Sequence, residues 1–370
     1  MKLHRIRAVY MRGGTSKALV FKEADLPAAR ADRDAIFLAA MGVPDPNRRQ
    51  LDGMGGGLSS LNKVCIVGPP SRADADVDFT FVQLGVDTPL VDYGGNCGNM
   101  SAAIGPFAIE EGLVPCPAEG EAVVRIHNTN TGKLIRARFA VTDGALAADG
   151  TLAIDGVAGT AAPVRLEFLA PGGAKTGRLL PTGHAIDRLC GIEASLVDAA
   201  NPCIFVAARS LGLAGTELPS ALDENAAFLA QMEDIRRAGS VAMGLAPDIA
   251  AAGRLASVPK VAMLSGPGAA MTVSGRRLAA DETDLTVRMI SVGQPHRAVP
   301  ITGAICLAVA ARLPGTIAQR LCANSTGPIR IGHASGTTTV DAEVEDGEAR
   351  HGAVYRSARR LFEGHVIYRS

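Results

Sequence analysis

The sequence predicts an α+β protein built from two related halves. A chain of 370 residues is longer than one typical domain. Glycine and proline interrupt it often, and the short apolar runs between them are typical of strands. Convincing helices are few, and each half has one apolar helix among its strands. This segregation favours α+β over a doubly wound parallel sheet, in which strands and helices alternate.

The individual elements follow from the periodicity of apolar residues. Four runs predict strands, at residues 64–67, 77–82, 122–126 and 204–206. Two segments, 99–111 and 303–312, consist mainly of small and apolar residues and predict buried helices. A third helix is predicted at 222–238, where one face is polar and the other apolar.

The two apolar helices begin alike, which indicates a weak internal duplication. One follows the segment GGNCGN at 94–99, and the other follows PITG at 300–303. Far upstream of each lies a strand with a polar kink, MRGGTSK at 11–17 and DAANP at 198–202. We therefore expect an N-terminal half at 1–185 and a C-terminal half at 186–370, and the last strand could return to the first half.

Composition argues against several classes of partner. Lys plus Arg and Asp plus Glu both number 37, so the formal net charge is zero and there is no basic field to attract nucleic acid or an anionic membrane. The N-terminus lacks the apolar run of a signal peptide, and no stretch is long enough for a membrane helix. We expect a cytoplasmic protein that holds any anionic ligand by local groups.

Cysteine and histidine spacings do not predict a metal site. The seven cysteines include no CxxC pair, and the seven histidines show no HxH or HxxxH pattern. A site assembled from distant residues remains open, but the expectation is that no metal and no cofactor is bound.

The segment 94–99 is the most informative for chemistry. Its glycines let a ligand approach the backbone, and the following helix presents free N–H groups and a positive dipole end. A carboxylate suits such a site, and the pKa of a thiol there should be lowered, so Cys97 could donate or accept a proton. We expect ligand contacts at four neighbouring residues, Asn96, Gly98, Asn99 and Met100. The alternative is that an asparagine caps the helix while Cys97 packs as a small apolar side chain.

Five long segments resemble the PrpF-type family, which includes methylaconitate cis-trans isomerase, methylitaconate Δ-isomerase and oxalomesaconate tautomerase. They are residues 11–21, 51–70, 91–114, 200–206 and 288–316. The resemblance runs from about residue 6 to the C-terminus. It implies a diaminopimelate epimerase-like fold of two pseudo-symmetric halves, each a β-barrel-like sheet around a central apolar helix.

The resemblance also implies roles for individual residues. Lys63 stands where this family has its catalytic base, although Leu61 and Asn62 before it depart from the usual Thr-Ser or Ser-Thr-Ser. Ser16 and Lys17 become expected carboxylate ligands. In the second half, the segment Thr302-Gly303-Ala304 stands where diaminopimelate epimerase-like enzymes carry a second cysteine, and Arg288 is an expected bidentate partner of a carboxylate. Because the two helix starts are alike, we also expect this segment to bind the substrate, with a second carboxylate on the N–H groups near Gly303 and Ala304. Read without the family, Lys63 would be a solvated strand end and Arg288 a surface arginine.

These observations predict a cofactor-independent isomerase of small unsaturated di- or tricarboxylic acids. Lys63 and Cys97 would move a proton and shift a double bond in a cleft between the halves. Lys63 must be neutral to act as a base, and it would titrate as a coupled pair with Cys97. The alternatives are an amino-acid racemase or epimerase, disfavoured by Thr302 in place of a cysteine, and a non-catalytic ligand-binding protein. The sequence does not identify the acid or the type of product isomer, and the oligomeric state is open, with a homodimer as one candidate.

Overall fold

A computed structural model describes residues 2–255 and 257–369, apart from the side chain of Ser291. The chain begins with two long strands and continues through mainly antiparallel strands and two helices. In chain order these elements are β1 (Leu3–Gly13), β2 (Ser16–Lys22), α1 (Arg30–Met41), β3 (Lys63–Gly68), β4 (Val77–Leu84), β5 (Val91–Asp92), α2 (Gly98–Glu110), β6 (Gly120–Asn128), β7 (Lys133–Thr142), β8 (Ala145–Leu146), β9 (Leu152–Ala153), β10 (Thr160–Ala161) and β11 (Val164–Leu169).

The remainder of the chain repeats this plan and ends on a long strand. Its elements are β12 (Asp187–Leu189), β13 (Ile192–Ala199), β14 (Asn201–Ala207), α3 (Pro219–Asp223), α4 (Ala226–Ala242), α5 (Ile249–Arg254), β15 (Lys260–Ser265), β16 (Ala270–Met271), β17 (Arg277–Leu278), β18 (Leu285–Ser291), β19 (Gln294–Pro295), α6 (Ile301–Ala310), α7 (Ile317–Leu321), β20 (Ile329–His333), β21 (Gly336–Glu345), β22 (Glu348–Arg356) and β23 (Ala358–Arg369).

The chain divides into two compact units at a different place from the predicted one. The first unit is Met1–Glu167 with Tyr355–Ser370, and the second is Phe168–Val354. Residues 168–185, between the observed and predicted boundaries, belong to the second unit because the buried Asp198 binds this segment. Its carboxylate accepts hydrogen bonds from the backbone N–H groups of Lys175 and Thr176, at 2.8 and 2.7 Å. The last strand does return to the first unit, where β23 pairs antiparallel with β1.

The two units share one strand topology, which confirms the α+β class and the two related halves. In the first, β1 and β2 form a hairpin, β3 lies parallel to β2, β4 is antiparallel to β3, and β6 is parallel to β4. In the second, the same relations join β13, β14, β15, β18 and β20. Each plan closes with an antiparallel strand, β7 or β21.

A buried helix occupies the equivalent place in each unit, as the sequence predicts. Residues Met100–Ile109 of α2 are all buried, as are Gly303–Ala310 of α6. Strands surround α2, which contacts β1, β2, β3, β6, β7, β8 and β23. Small side chains permit this enclosure: a Cβ atom added at Gly105 would lie 2.8 Å from the ring of Phe139.

The amphipathic helix predicted at 222–238 is two helices in the structure. The short α3 ends before Asn225, and α4 begins after it. The Asn225 side chain accepts a hydrogen bond from the N–H of Phe228 at 3.0 Å, so this residue acts as an N-cap and restarts the helix. Within the described residues, no helix is both long and apolar enough to cross a membrane.

Candidate active site

Lys63 begins β3 and lies inside the first unit. It pairs with Ala18 of β2 on one side and with Gln83 of β4 on the other. The residue is only 7% exposed. Its Nζ donates to Oε1 of Gln83 and lies 5.1 Å from the centre of the Phe81 ring. The interpretation of Lys63 as a solvated strand end is therefore excluded.

The partner of Lys63 is a neutral amide held in a fixed orientation. Nε2 of Gln83 donates to three carbonyl groups at 3.1 Å each, those of Ser59, Asn62 and Leu84. This network turns the amide oxygen toward Lys63. No carboxylate forms an ion pair with Lys63 in the part of the chain that the structure describes. The sequence analysis missed Gln83, whose only signal is a polar residue among the apolar ones of β4.

Asn62, one of the two residues before Lys63 that depart from the family pattern, has a structural role. Asn62 is fully buried, and its amide accepts a hydrogen bond from Nε2 of Gln50 at 2.8 Å and donates to the carbonyl of Gly85. This side chain therefore ties the loop before β3 to its neighbours.

Cys97 is the N-cap residue of α2, at the helix start that the glycine-rich motif predicts, and neither Asn96 nor Asn99 is the cap. Its backbone is extended and its side chain is half-buried and makes no capping hydrogen bond. The first intrahelical bond runs from the N–H of Ser101 to the carbonyl of Cys97, at 2.9 Å. The N–H groups of the three residues between them have no acceptor among the described residues, and they form the donor set predicted at Gly98, Asn99 and Met100.

The buried thiol of Cys65 responds to the charges of both Lys63 and Cys97. Burial raises the pKa of the Cys65 thiol well above its usual value, the charge of Cys97 raises it further, and the charge of Lys63 lowers it. One thiol thus lies within electrostatic reach of both groups. Cys65 is two residues from Lys63 on β3, so their side chains project from the same face of the sheet.

The β1–β2 turn packs directly against the start of α2. A Cβ atom at Gly13 would lie 2.5 Å from the carbonyl oxygen of Asn99, so only glycine fits there. The Asn99 amide donates to Oγ1 of Thr15 at 3.2 Å. Ser16 is buried beside this turn and projects from the same face of β2 as Ala18, the neighbour of Lys63.

Asn96 and Lys17 have other surroundings. The Asn96 side chain accepts a hydrogen bond from Oγ of Ser101 at 3.3 Å, which places it at the first turn of α2. Lys17 projects from the opposite face of β2 to Ser16, and its Nζ lies 5.5 Å from the centre of the Tyr10 ring. We therefore leave Lys17 out of the carboxylate ligands proposed below.

Arg356 is a residue of this site that sequence reasoning missed. It ends β22, far from Cys97 in the chain, and its Nε donates to Oδ1 of Asn99 at 3.1 Å. Burial lowers the pKa of Arg356 to about 10, and the charge of Cys97 opposes this shift. No local pattern around Arg356 signals the contact, because only the return of the C-terminal segment to the first unit creates it.

Arg288 of the second unit is occupied by backbone groups. It lies on β18, as predicted, but is only 1% exposed, so it is not a surface arginine. Its guanidinium donates to the carbonyls of Glu217, Thr216 and Val287, at 2.6, 2.9 and 2.9 Å. Burial lowers its pKa to about 10. Its role as a carboxylate ligand stays a prediction, and would require these partners to change.

The free N–H groups at the start of α6 lie one residue earlier in the chain than the predicted ones. Pro300 is the N-cap, and the first helical bond runs from the N–H of Ala304 to the Pro300 carbonyl at 2.8 Å. The N–H of Ala304 is therefore used inside the helix, whereas those of Thr302 and Gly303 precede the first bond. The expectation of a carboxylate at Gly303 and Ala304 shifts to Thr302 and Gly303. That these residues share one cleft with Cys97 stays a prediction.

Comparisons with known proteins identify relatives that match nearly the whole chain. Residues 3–369 match the family described as PrpF protein. The chain is 42% identical to a 3-methylitaconate isomerase of Eubacterium barkeri, over 98% of this chain and 97% of that protein. It is 40% identical to a 2-methyl-aconitate isomerase of Cupriavidus necator, over 98% and 96%. The crystal structure of a methylitaconate-delta-isomerase superposes with a TM-score of 0.92 at 41% identity, and the match covers 100% of this chain and 96% of that one.

Proposed function

Because this chain belongs to the PrpF family, we propose that Lys63 and Cys97 isomerise a small unsaturated di- or tricarboxylic acid by moving one proton. The chain is an isomerase of unsaturated carboxylic acids, like the relatives it matches over nearly its whole length. The packing of the first unit carries the assignment of residues: the β1–β2 turn contacts Asn99 at the start of α2, and β2 pairs with β3 at Lys63.

The reaction is an allylic proton shift. A base removes a proton from a carbon next to a carboxylate, and the electron pair of the broken C–H bond spreads over the adjacent alkene and carboxylate. A proton then returns to the far carbon of the allylic system, and the double bond moves. We assign to Lys63 and Cys97 the two proton-transfer groups that these steps need.

The helix start supplies electrostatic stabilisation. A substrate carboxylate on the free N–H groups of Gly98, Asn99 and Met100 would lie beside Cys97. Negative charge that develops on this carboxylate during proton removal would strengthen those hydrogen bonds. Such donors are fixed by the fold before the reaction begins, which is the arrangement that favours a charged transition state.

The substrate class follows from the relatives, whose names specify methylitaconate and methyl-aconitate. Methylaconitate, methylitaconate, aconitate and oxalomesaconate differ by small groups, and we propose the class rather than one acid. A cytoplasmic location, the absence of a nucleic-acid partner and a homodimer are proposals that rest on composition alone.

Deuterium incorporation tests the proposal. The purified chain is incubated in heavy water with each of the four acids, and proton NMR follows deuterium entry and product formation. We expect exchange with at least one acid. Lys63→Ala should lower kcat by about a hundredfold or more with little change in KM, because a general base acts in the transition state.

Control variants at an exposed lysine and an exposed cysteine show whether a loss of activity is specific to Lys63 and Cys97. Lys133 is an exposed lysine of β7 and Cys190 an exposed cysteine. Lys133→Ala and Cys190→Ser should keep the wild-type rate, whereas Cys97→Ser should not. Wild-type activity in Lys63→Ala would remove Lys63 from the mechanism, and no exchange with any acid would contradict the proposed reaction.

A further inference from the structure

The first unit contains a half-buried arginine, Arg356, that no carboxylate among the described residues neutralises. Arg356 donates to Oδ1 of Asn99 and, through Nη1, to the carbonyl of Tyr355 at 2.8 Å. Across residues 2–255 and 257–369 it forms no ion pair with Asp or Glu. A charge removed from water is costly unless an opposite charge or hydrogen bonds compensate it. Two neutral acceptors compensate this guanidinium only in part.

The local packing holds the guanidinium in one orientation. A Cβ atom at Gly14 would lie 3.2 Å from Cδ of Arg356 and 2.3 Å from Oδ1 of Asn99, so glycine allows the turn to close over both. Asn99 is itself held by its hydrogen bond to Thr15. With Nε and one hydrogen of Nη1 committed, Nη2 has no acceptor among the described residues. Nη2 and Nη1 together are the edge that an arginine offers to a carboxylate.

This edge lies beside the other anion-binding groups of the unit. Arg356 binds the side chain of Asn99, which is two residues from Cys97, and the charge of Cys97 acts on Arg356. Asn99, which binds Arg356, belongs to the first turn of α2, where the three free N–H groups lie. The unit thus brings a fixed cation and an open helix start to the same place from opposite ends of the chain.

We infer that Arg356 binds a carboxylate of the substrate, next to the free N–H groups of residues 98–100. The inference rests on the proposed function in one respect, namely that the ligand is a polycarboxylate. An arginine remains protonated at neutral pH, so Arg356 acts as a substrate-binding residue and not as the proton donor. Arg288, the carboxylate ligand expected from the sequence, already donates three of its five N–H groups to backbone carbonyls.

The experiment measures binding apart from catalysis. The probe is tricarballylate, a saturated tricarboxylate that has no double bond to shift. Its affinity for the full-length protein is measured by calorimetry and by protection of Cys97 from iodoacetamide. The variants are Arg356→Met and Arg356→Lys. The control is Arg359→Met, which removes an exposed cation three residues away.

We expect Arg356→Met to weaken tricarballylate binding by about 10- to 100-fold, the range for losing a hydrogen bond to a charged group. Arg356→Lys should give an intermediate loss, since an ammonium keeps the charge but not the two-pronged geometry. Arg359→Met should change the affinity by about twofold or less, because exposed charges are screened.

Three results would overturn the inference. The first is that Arg356→Met binds tricarballylate as tightly as the wild type does. This holds even if the alkylation of ligand-free Cys97 becomes slower in that variant. The second is an equal loss in Arg359→Met. The third is a wild-type protein that does not bind tricarballylate. A protein that binds it through Arg356 but exchanges deuterium into no acid would contradict the proposed function and leave this inference intact.

A structure of the wild-type protein with tricarballylate tests the same point without a variant, should Arg356→Met fail to fold. A carboxylate of the probe should lie within about 3.2 Å of Nη1 or Nη2 of Arg356. A probe bound with no carboxylate on this edge would overturn the inference.

Discussion

Replacing Arg288 by methionine should destabilise the protein rather than only weaken substrate binding. The side chain is fully buried and donates to three carbonyls, two of which belong to the Thr216–Glu217 segment. Each bond to a charged donor contributes about 1.5–3 kcal/mol. Methionine leaves these carbonyls without their donor, which costs about 1–3 kcal/mol for each buried unsatisfied group, but it also removes the cost of burying the guanidinium, which offsets part of the sum. We expect a net loss of unfolding free energy of about 1–3 kcal/mol.

Urea unfolding, hydrogen exchange and tricarballylate affinity, measured on Arg288→Met and Arg356→Met, decide between a structural and a ligand role. Urea unfolding gives the change in stability, and hydrogen exchange shows whether residues 214–218 become less protected. Arg288→Met should lower the urea midpoint and protection at 214–218. Arg356→Met should chiefly lower tricarballylate affinity. An unchanged urea midpoint in Arg288→Met, combined with a loss of tricarballylate affinity, would refute the structural reasoning and restore Arg288 as a ligand.

Two further predictions concern a thiol and a carboxylate of the first unit. Brief iodoacetamide treatment should label Cys97 fastest, and a tricarboxylate should protect it, whereas the fully buried Cys65, Cys203 and Cys306 should react slowly; peptide mapping that finds Cys306 labelled as fast as Cys97 would contradict this. Burial would raise the pKa of Glu111, but hydrogen bonds from Lys22 and Arg360 and the charge of Arg7 outweigh it and lower that pKa. Stability from Glu111 is therefore present above about pH 4.3, the unfolded value, and is lost as the pH falls through the lower folded value. Glu111→Gln should flatten the acid limb of a plot of unfolding free energy against pH, and an unchanged limb would count against this ion-pair cluster.

The sequence established the elements that local pattern controls. The apolar runs at 99–111 and 303–312 predict the two central helices, because only a fully buried helix is apolar on every face. The segment GGNCGN predicts an open helix start at Cys97, because glycine and a following helix create free N–H groups within a few residues. Both features depend on neighbours in the chain, and both are present in the structure.

Features that depend on distant residues were decided by tertiary structure. Gln83 meets Lys63 only through the register of β3 and β4, and Arg356 meets Asn99 only because the C-terminal segment returns to the first unit. The resemblance implies a carboxylate ligand at Arg288, yet three carbonyls that lie close to it in the fold accept three of its five N–H groups. The sequence by itself thus determines where a helix starts and which residue types are there. Which charge meets which partner depends on strand pairing, since hydrogen bonds act over a few ångströms and not along the chain.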